Sequence, residues 1–402
     1  MTRPGSAPGG EVEVDHAHAE HRGRVDARIA AALGEGVSTW AELLGATEGA
    51  DPRLVARRLD ARGRSLPGRG PPGAVASSRW TPELHARDFE WYFAPACARA
   101  LARRAAGLGR RVLCMGTPTV AFGLLERPAE APPLERITLV DHNPLVDRRH
   151  AGRGPLEMLH HDLAAARPGA GRYDVAVFDA PWYPPQLRRW LALSAHAVRP
   201  GGTVLFALLP RLHRPSAPDD RDRLLAEARR LGDVRVEPGA LAYESPRFEQ
   251  EALAAAGLAT PPAWRRADLV ELCVRRAPAA DGLAPLPAAP AWARFVVGAQ
   301  VVHLDQHAPD EPGDVLAPID ERGDYRYASI STRDPRRERI GLWTSRSRVA
   351  RVRRPALVGE LLERLVEAGE LGALDDAPPL RSMSDPERRR LLGALRTVLG
   401  PA

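Results

Sequence analysis

The spacing of apolar residues changes twice along the chain. Near the N-terminus Val25, Ile29 and Leu33 recur four apart, which is one face of a helix. Ser38 is a good N-cap for a second helix over 39–44. Asp51 caps a third over 52–62, with Pro52 at its first position and Leu54, Val55 and Leu59 on its apolar face. The Gly/Pro-rich stretch 63–74 follows. Three short helices with tight turns predict a helix-turn-helix or winged-helix unit. Its third helix carries Arg53, Arg57, Arg58 and Arg62. A DNA-reading face and a protein-docking or dimerisation face both fit that helix, and docking is the preferred reading. Residues 78–106 read as mainly helical, with Phe89, Trp91, Tyr92 and Phe93 as a packing cluster.

From 110 to 276 short apolar runs alternate with helical patterns. Strands are expected over 112–115, 136–140, 174–178, 203–209 and 267–275. Helices are expected over 185–198, 219–231 and 248–256, with a helix or loop at 119–125 and a turn at 199–202. Such alternation predicts an α/β fold with a mostly parallel sheet. An Ala/Pro-rich linker over 277–291 leads to a C-terminal α+β part. There β-like segments fall at 295–304, 325–331 and 340–344, and helices at 357–368 and 385–399. The expected division is a disordered tail 1–22, the helical unit 23–80, the α/β core with its lead-in helix 81–276, the linker, and the C-terminal domain 292–402.

Composition narrows the chemistry. The 402 residues exceed what one core usually serves. No apolar run nears the roughly 20 residues that cross a bilayer. Residues 1–23 contain no hydrophobic segment, so cytoplasmic residence is the expectation. Cys97, Cys114 and Cys273 are too scattered for a disulfide framework or a zinc pattern and read as buried thiols. All 57 basic residues are Arg, which excludes a Walker P-loop, a pyridoxal Schiff base and any catalytic lysine. The net charge of +6 permits a polyanionic partner without demanding one.

Ligands of open parallel sheets bind beyond the carboxyl ends of the strands, and the candidate residues fall at such ends. Gly116 and Thr117 end the first strand, where glycine lets a ligand approach the backbone. Asp141 ends the second and suits ribose hydroxyls, with His142 flanking the ribose or capping the next helix. Asp162, expected to precede the third strand, suits an adenine amino group. Asp179-Ala180-Pro181-Trp182 closes the run 175–178. There the carboxylate and the Ala180 carbonyl accept from an exocyclic NH2, Trp182 stacks on a ring, and Tyr183 adds a wall that touches the substrate. His160-His161 is rejected as a metal pair, because neighbours on a strand face opposite ways and no third ligand is placed. No metal is expected.

This succession, over about residues 110–276, resembles the S-adenosylmethionine-dependent methyltransferases of the Rossmann-like class. The resemblance implies S-adenosyl-L-methionine as cofactor, with Gly116 and Thr117 at its methionine end, Asp141 at its ribose, and Asp162 and Leu163 at its adenine. Within that class Asp179-Ala180-Pro181-Trp182 is similar to the D-P-P-[YFW] motif of amino methyltransferases, with Ala180 in place of the first proline. That similarity implies adenine N6 of nucleic acid as acceptor, DNA before RNA. A duplex base has to be flipped out to reach such a pocket. The C-terminal arginines Arg333, Arg336, Arg337, Arg339, Arg346, Arg348, Arg351, Arg353 and Arg354 suit a phosphate-tracking surface or a solvated face equally. A helical unit before a D-P-P-[YF] core is also similar to the branched-polyamine aminopropyltransferases. A non-catalytic nucleic-acid-binding protein with a degenerate core is the third reading.

Overall fold

The apolar runs of the middle of the chain become the central strands of one sheet. The computed structural model describes residues 8–70, 82–88, 90–126, 132–141, 156–160, 163, 169–276, 278, 283–286, 292–321, 323–327, 329 and 334–400. The chain forms two compact units. Unit 1 comprises Met1–Gly70, Tyr92–Ser245 and Pro261–Pro287, and unit 2 comprises Pro71–Trp91, Pro246–Thr260 and Ala288–Ala402. The N-terminal helices therefore share a unit with the α/β core, and 246–260 groups with the C-terminal part.

Unit 1 opens with α1 (Pro8–Gly34), α2 (Trp40–Ala46) and α3 (Pro52–Asp60). Helix α1 starts at Pro8, inside the expected tail. Its stripe of Val25 and Ile29 extends back to the buried His21. Thr39 caps α2 through a reciprocal capping box with Glu42, one residue later than expected. Asp51 caps α3 and Pro52 opens it. Residues 61–70 carry no strand, so the three helices are present and no wing lies among the described residues. Among the described residues the lead-in is not helical before α4 (Pro95–Leu108). Phe93 instead forms an antiparallel bridge with Tyr243.

The sheet then builds from β1 (Arg111–Met115), α5 (Pro118–Leu125), β2 (Arg136–Asp141), β3 (Leu156–His160), β4 (Tyr173–Phe178), α6 (Pro184–Ala197), β5 (Val198–Leu208), α7 (Ala217–Leu231), β6 (Gly232–Ala242) and β7 (Arg266–Val274). Strand order is β3-β2-β1-β4-β5-β7-β6. The first five are parallel, and β7 runs antiparallel to both β5 and β6. This is a doubly wound, Rossmann-like sheet whose order reverses between β1 and β4. Its core interleaves Leu113, Met115, Phe178 and Phe206 with Leu187, Leu191 and Leu224 from the covering helices. Phe178 and Phe206 stack with centroids 4.9 Å apart. The expected 199–202 turn survives inside β5 as an irregularity of register between the Tyr173 and Val175 pairings.

Unit 2 contains α8 (Arg247–Ala255), β8 (Ala293–Val297), β9 (Gln300–Leu304), β10 (Leu316–Ala317), β11 (Leu342–Thr344), β12 (Val349–Val352), α9 (Pro355–Ala368) and α10 (Asp385–Leu399). Its sheet runs β10-β12-β11-β9-β8. The expected single segment 295–304 is a hairpin, turned at Gly298 with φ of 62°. The expected strand at 325–331 reduces to one bridge, Arg326 with Arg348, among the described residues. Helices α9 and α10 cover one face through Val358, Leu361, Leu362, Leu391 and Leu395. No helix among the described residues is long and apolar enough to cross a membrane.

Candidate active site

The register of the parallel strands sets the site. Met115 pairs with Val140 on one side and with Phe178 on the other. The next residues, Gly116, Asp141 and Asp179, are therefore level along the carboxyl rim of the sheet, at the point where strand order reverses. Hydrogen bonds continue this alignment past the strands. Gly116 N–H donates to the Val140 carbonyl at 2.9 Å, and Asp179 N–H to the Met115 carbonyl at 3.4 Å.

Gly116 has φ of 60°, and a Cβ there would lie 2.7 Å from the Trp190 ring of α6. Only glycine turns the chain here without collision. Thr117 is buried, and its Oγ1 donates to the Val177 carbonyl at 3.4 Å. Its side chain thus ties β1 to β4 rather than facing outward. Asp141 is buried at the end of β2. Leu163 lies in the core, with its carbonyl accepting from the buried Arg189 at 3.0 Å. That places its side chain among the sheet-packing residues. His142 and Asp162 lie outside the described residues. β3 precedes Asp162 in the chain, so the strand that follows Asp162 is the fourth and not the third.

Asp179 is the chemically distinct residue. It keeps partial surface exposure, yet its carboxyl is walled in by protein, and burial pushes it up to about 7 against the opposing hydrogen bonds of Tyr243 and Trp182. Tyr243 Oη donates to Asp179 Oδ1 at 3.0 Å. Burial, with the adjacent Asp179, holds the Tyr243 hydroxyl well above its ordinary range, so it remains a donor. Tyr243 is fixed in turn by Phe93, whose ring lies 5.0 Å away, and by its own N–H to the Arg265 carbonyl.

Ala180 is buried and Pro181 partly so, while Tyr183 is exposed at the N-cap of α6. The Pro181 carbonyl accepts from Tyr183 N–H at 2.6 Å, closing the tight turn that aims Trp182. The Trp182 ring meets Tyr243 edge-on at 5.8 Å and His213 at 4.9 Å. The Arg265 guanidinium stands over it at 5.8 Å. Arg214 donates to the Trp182 carbonyl and pairs with Asp220. Burial, aided by Arg265 and Arg214, holds His213 well below the usual imidazole range and therefore neutral. The N-terminal helices reach the same loop. Leu212 N–H donates to the Glu48 carbonyl, and Arg24 donates to the Pro215 carbonyl, both at 3.0 Å.

Tyr243, His213 and Arg265 were not legible as site residues. Tyr243 lies 64 positions from Asp179 and its only sequence signal is an aromatic closing a weak strand. Several arginines of the N-terminal helical unit and of the C-terminal segment are held in ion pairs. Arg58 and Arg62 both pair with Asp26, and Arg53 pairs with Asp51. In unit 2, Arg336 pairs with Asp334, Arg346 with Glu83 and Arg351 with Glu311. Arg333 lies outside the described residues.

No protein-family model and no curated protein matches the chain. Solved structures do. The branched-chain polyamine synthase of Thermus thermophilus, solved with N4-aminopropylspermidine and 5'-methylthioadenosine, is 17% identical, with 64% of this chain and 88% of that one covered at a TM-score of 0.47. A 16S rRNA methyltransferase of T. thermophilus, solved with AdoMet and guanosine, is 18% identical over 49% of this chain and 42% of its own, at 0.29. A tRNA (m1A58) methyltransferase of Aquifex aeolicus is 12% identical over 45% and 69%, at 0.31. Scores this low carry no argument about function.

Proposed function

We propose that unit 1 is a methyltransferase that uses S-adenosyl-L-methionine and methylates an amino nitrogen, with adenine N6 of nucleic acid as the first acceptor to test. The observation that carries this reading is the level row of Gly116, Asp141 and the enclosed Asp179 at the reversal of strand order. The donor set fits the cofactor. Asp141 offers a carboxylate for two ribose hydroxyls, and the turn at Gly116 brings backbone close to the rim. Bound there, the cofactor supplies an electrophilic methyl group on a sulfonium sulfur.

The chain's own residues then orient and deprotonate. Tyr243 donates to Oδ1 of Asp179 and Trp182 also bonds the carboxylate, and its remaining lone-pair directions accept from an amino group. An amine gripped by its hydrogens presents its lone pair along the remaining direction, and positioning of this kind supplies much of the acceleration. Asp179 ionises near neutral pH, which suits a group that accepts a proton from a nitrogen as it is alkylated. Trp182 forms one wall for a flat ring, and the adjoining Arg265 favours an acceptor carrying negative charge over a polycation.

The test supplies labelled S-adenosyl-L-methionine with pools of DNA, RNA, polyamines and protein. Label is expected in nucleic acid. Asp179→Ala is expected to abolish transfer while cofactor binding by calorimetry persists. Label in no pool, or equal activity of Asp179→Ala, overturns the reading. Aminopropyl transfer is separated by supplying decarboxylated cofactor with spermidine.

A further inference from the structure

Unit 2 carries a second cluster of chemistry-bearing residues that the transfer reaction does not use. His303 lies on β9, paired in register with Trp343 of β11 and Arg294 of β8. Residues 82–88 carry His85 and Asp88 to the same place, where the His85 and His303 rings lie 4.6 Å apart. His85 is fully buried, and the Asp88 and His303 side chains are each 7% exposed. One nitrogen or oxygen from each of His85, Asp88 and His303 lies within 4.8 Å of the others.

We propose that His85, Asp88 and His303 form a binding site for one Zn2+ ion. Two imidazoles and a carboxylate are the donor set of many three-ligand zinc sites. Four ligands at about 2.0–2.1 Å stand roughly 3.3 Å apart around a tetrahedral ion, so small side-chain rotations close the cluster. The geometry at His303 points to a common centre. Its Nε2 lies 2.8 Å from Asp88 Oδ1, and its buried Nδ1 has no hydrogen-bond partner among the described residues. A buried imidazole nitrogen left unmatched is otherwise costly.

The surrounding contacts suit ligation. His85 Nε2 lies 3.1 Å from the Trp343 carbonyl, which only accepts, so Nε2 carries the proton and Nδ1 the lone pair. Orientation of a ligating histidine by a backbone carbonyl is a regular feature of zinc sites. Nδ1 accepts from Arg87 N–H at 3.0 Å, and ligation exchanges that single contact for a coordinate bond. Arg294 Nε donates to Asp88 Oδ2 at 3.3 Å, holding the carboxylate with Oδ1 toward the imidazoles. Glu83 anchors the start of the segment through Ser345 at 2.8 Å and Arg346 at 3.2 Å.

The experiment uses the full chain, stripped with a chelator, reloaded with Zn2+ and freed of excess metal. Wild type is expected to retain one zinc per chain and to unfold at a higher temperature than the stripped protein. His303→Gln and Asp88→Asn are expected to bind zinc about 100-fold more weakly or worse and to lose the thermal shift, with the transferase assay unchanged. Should either variant fail to fold, Co2+ added to the stripped wild type decides: tetrahedral ligand-field bands, abolished by Zn2+, support the site. No retained zinc and no such bands in wild type, or undiminished zinc in folded His303→Gln, overturns it.

Discussion

Asp179 places conflicting demands on the protein. Burial lifts its carboxyl to about 7, so between roughly pH 4 and 7 the folded chain holds a proton that the unfolded chain has released. Stability attributable to this group is therefore present at low pH and lost as pH rises through about 7. Asp179→Asn removes that loss. It is expected to stabilise the protein by on the order of 1–2 kcal/mol near pH 8, allowing for the carboxyl's partial exposure, and by almost nothing near pH 4. Chemical denaturation at the two pH values measures the difference. Activity has the opposite dependence, because the ionised carboxylate is the working form, so kcat/KM should fall as pH drops below about 7. Tyr243→Phe deletes a donor that favours ionisation. Its acidic limb is expected to move upward by about half to one pH unit, the equivalent of one modest hydrogen bond. A limb that stays in place would remove Asp179 as the titrating group.

At the scale of elements, the turn after β1 is the most constrained feature of the rim. Gly116→Ala sets a side chain at positive φ and into the Trp190 ring. A loss of about 1–3 kcal/mol is expected in thermal unfolding, with weakened cofactor binding in calorimetry. Asp141→Ala should weaken cofactor binding without the stability loss of Gly116→Ala. These strand ends were legible because continuous apolar runs such as Val112–Met115 end at a glycine or an acid, and a buried parallel strand has no other reading. Two strands of this sheet were missed for physical reasons. β6 lies at the sheet edge, alternates exposed and half-buried positions, and is broken by an irregularity between Glu237 and Leu241. β3 is five residues long and includes Glu157, which pairs with Arg136. Neither presents an apolar run. The aromatic cluster before α4 was misread as helical because Phe93 and Tyr243 bridge across 150 positions, a pairing no local pattern encodes.

Across the whole molecule, arginine abundance overstates the free positive charge. Asp26 takes both Arg58 of α3 and Arg62 just beyond it, and Glu311, Glu83 and Asp334 each take arginines of the C-terminal unit. Surface ion pairs of this kind contribute little to stability, but each holds a guanidinium that would otherwise neutralise phosphate. Leu212 and Arg24 join the N-terminal helices to the loop beside Trp182. Nucleic-acid binding should then show a shallow salt dependence. A protein making 6–10 phosphate contacts loses about 10³–10⁵ in affinity between 50 and 200 mM salt. For this chain the slope of log K against log salt is expected to lie nearer −3 than −8, measured by fluorescence anisotropy on a single-stranded, adenine-containing oligonucleotide. Asp26→Asn frees Arg58 and Arg62 and is expected to steepen it by one to two. A slope near −8 in wild type, unchanged by Asp26→Asn, would mean that the paired arginines already exchange their carboxylates for phosphate, and that the helical unit reads nucleic acid rather than serving as a wall of the site.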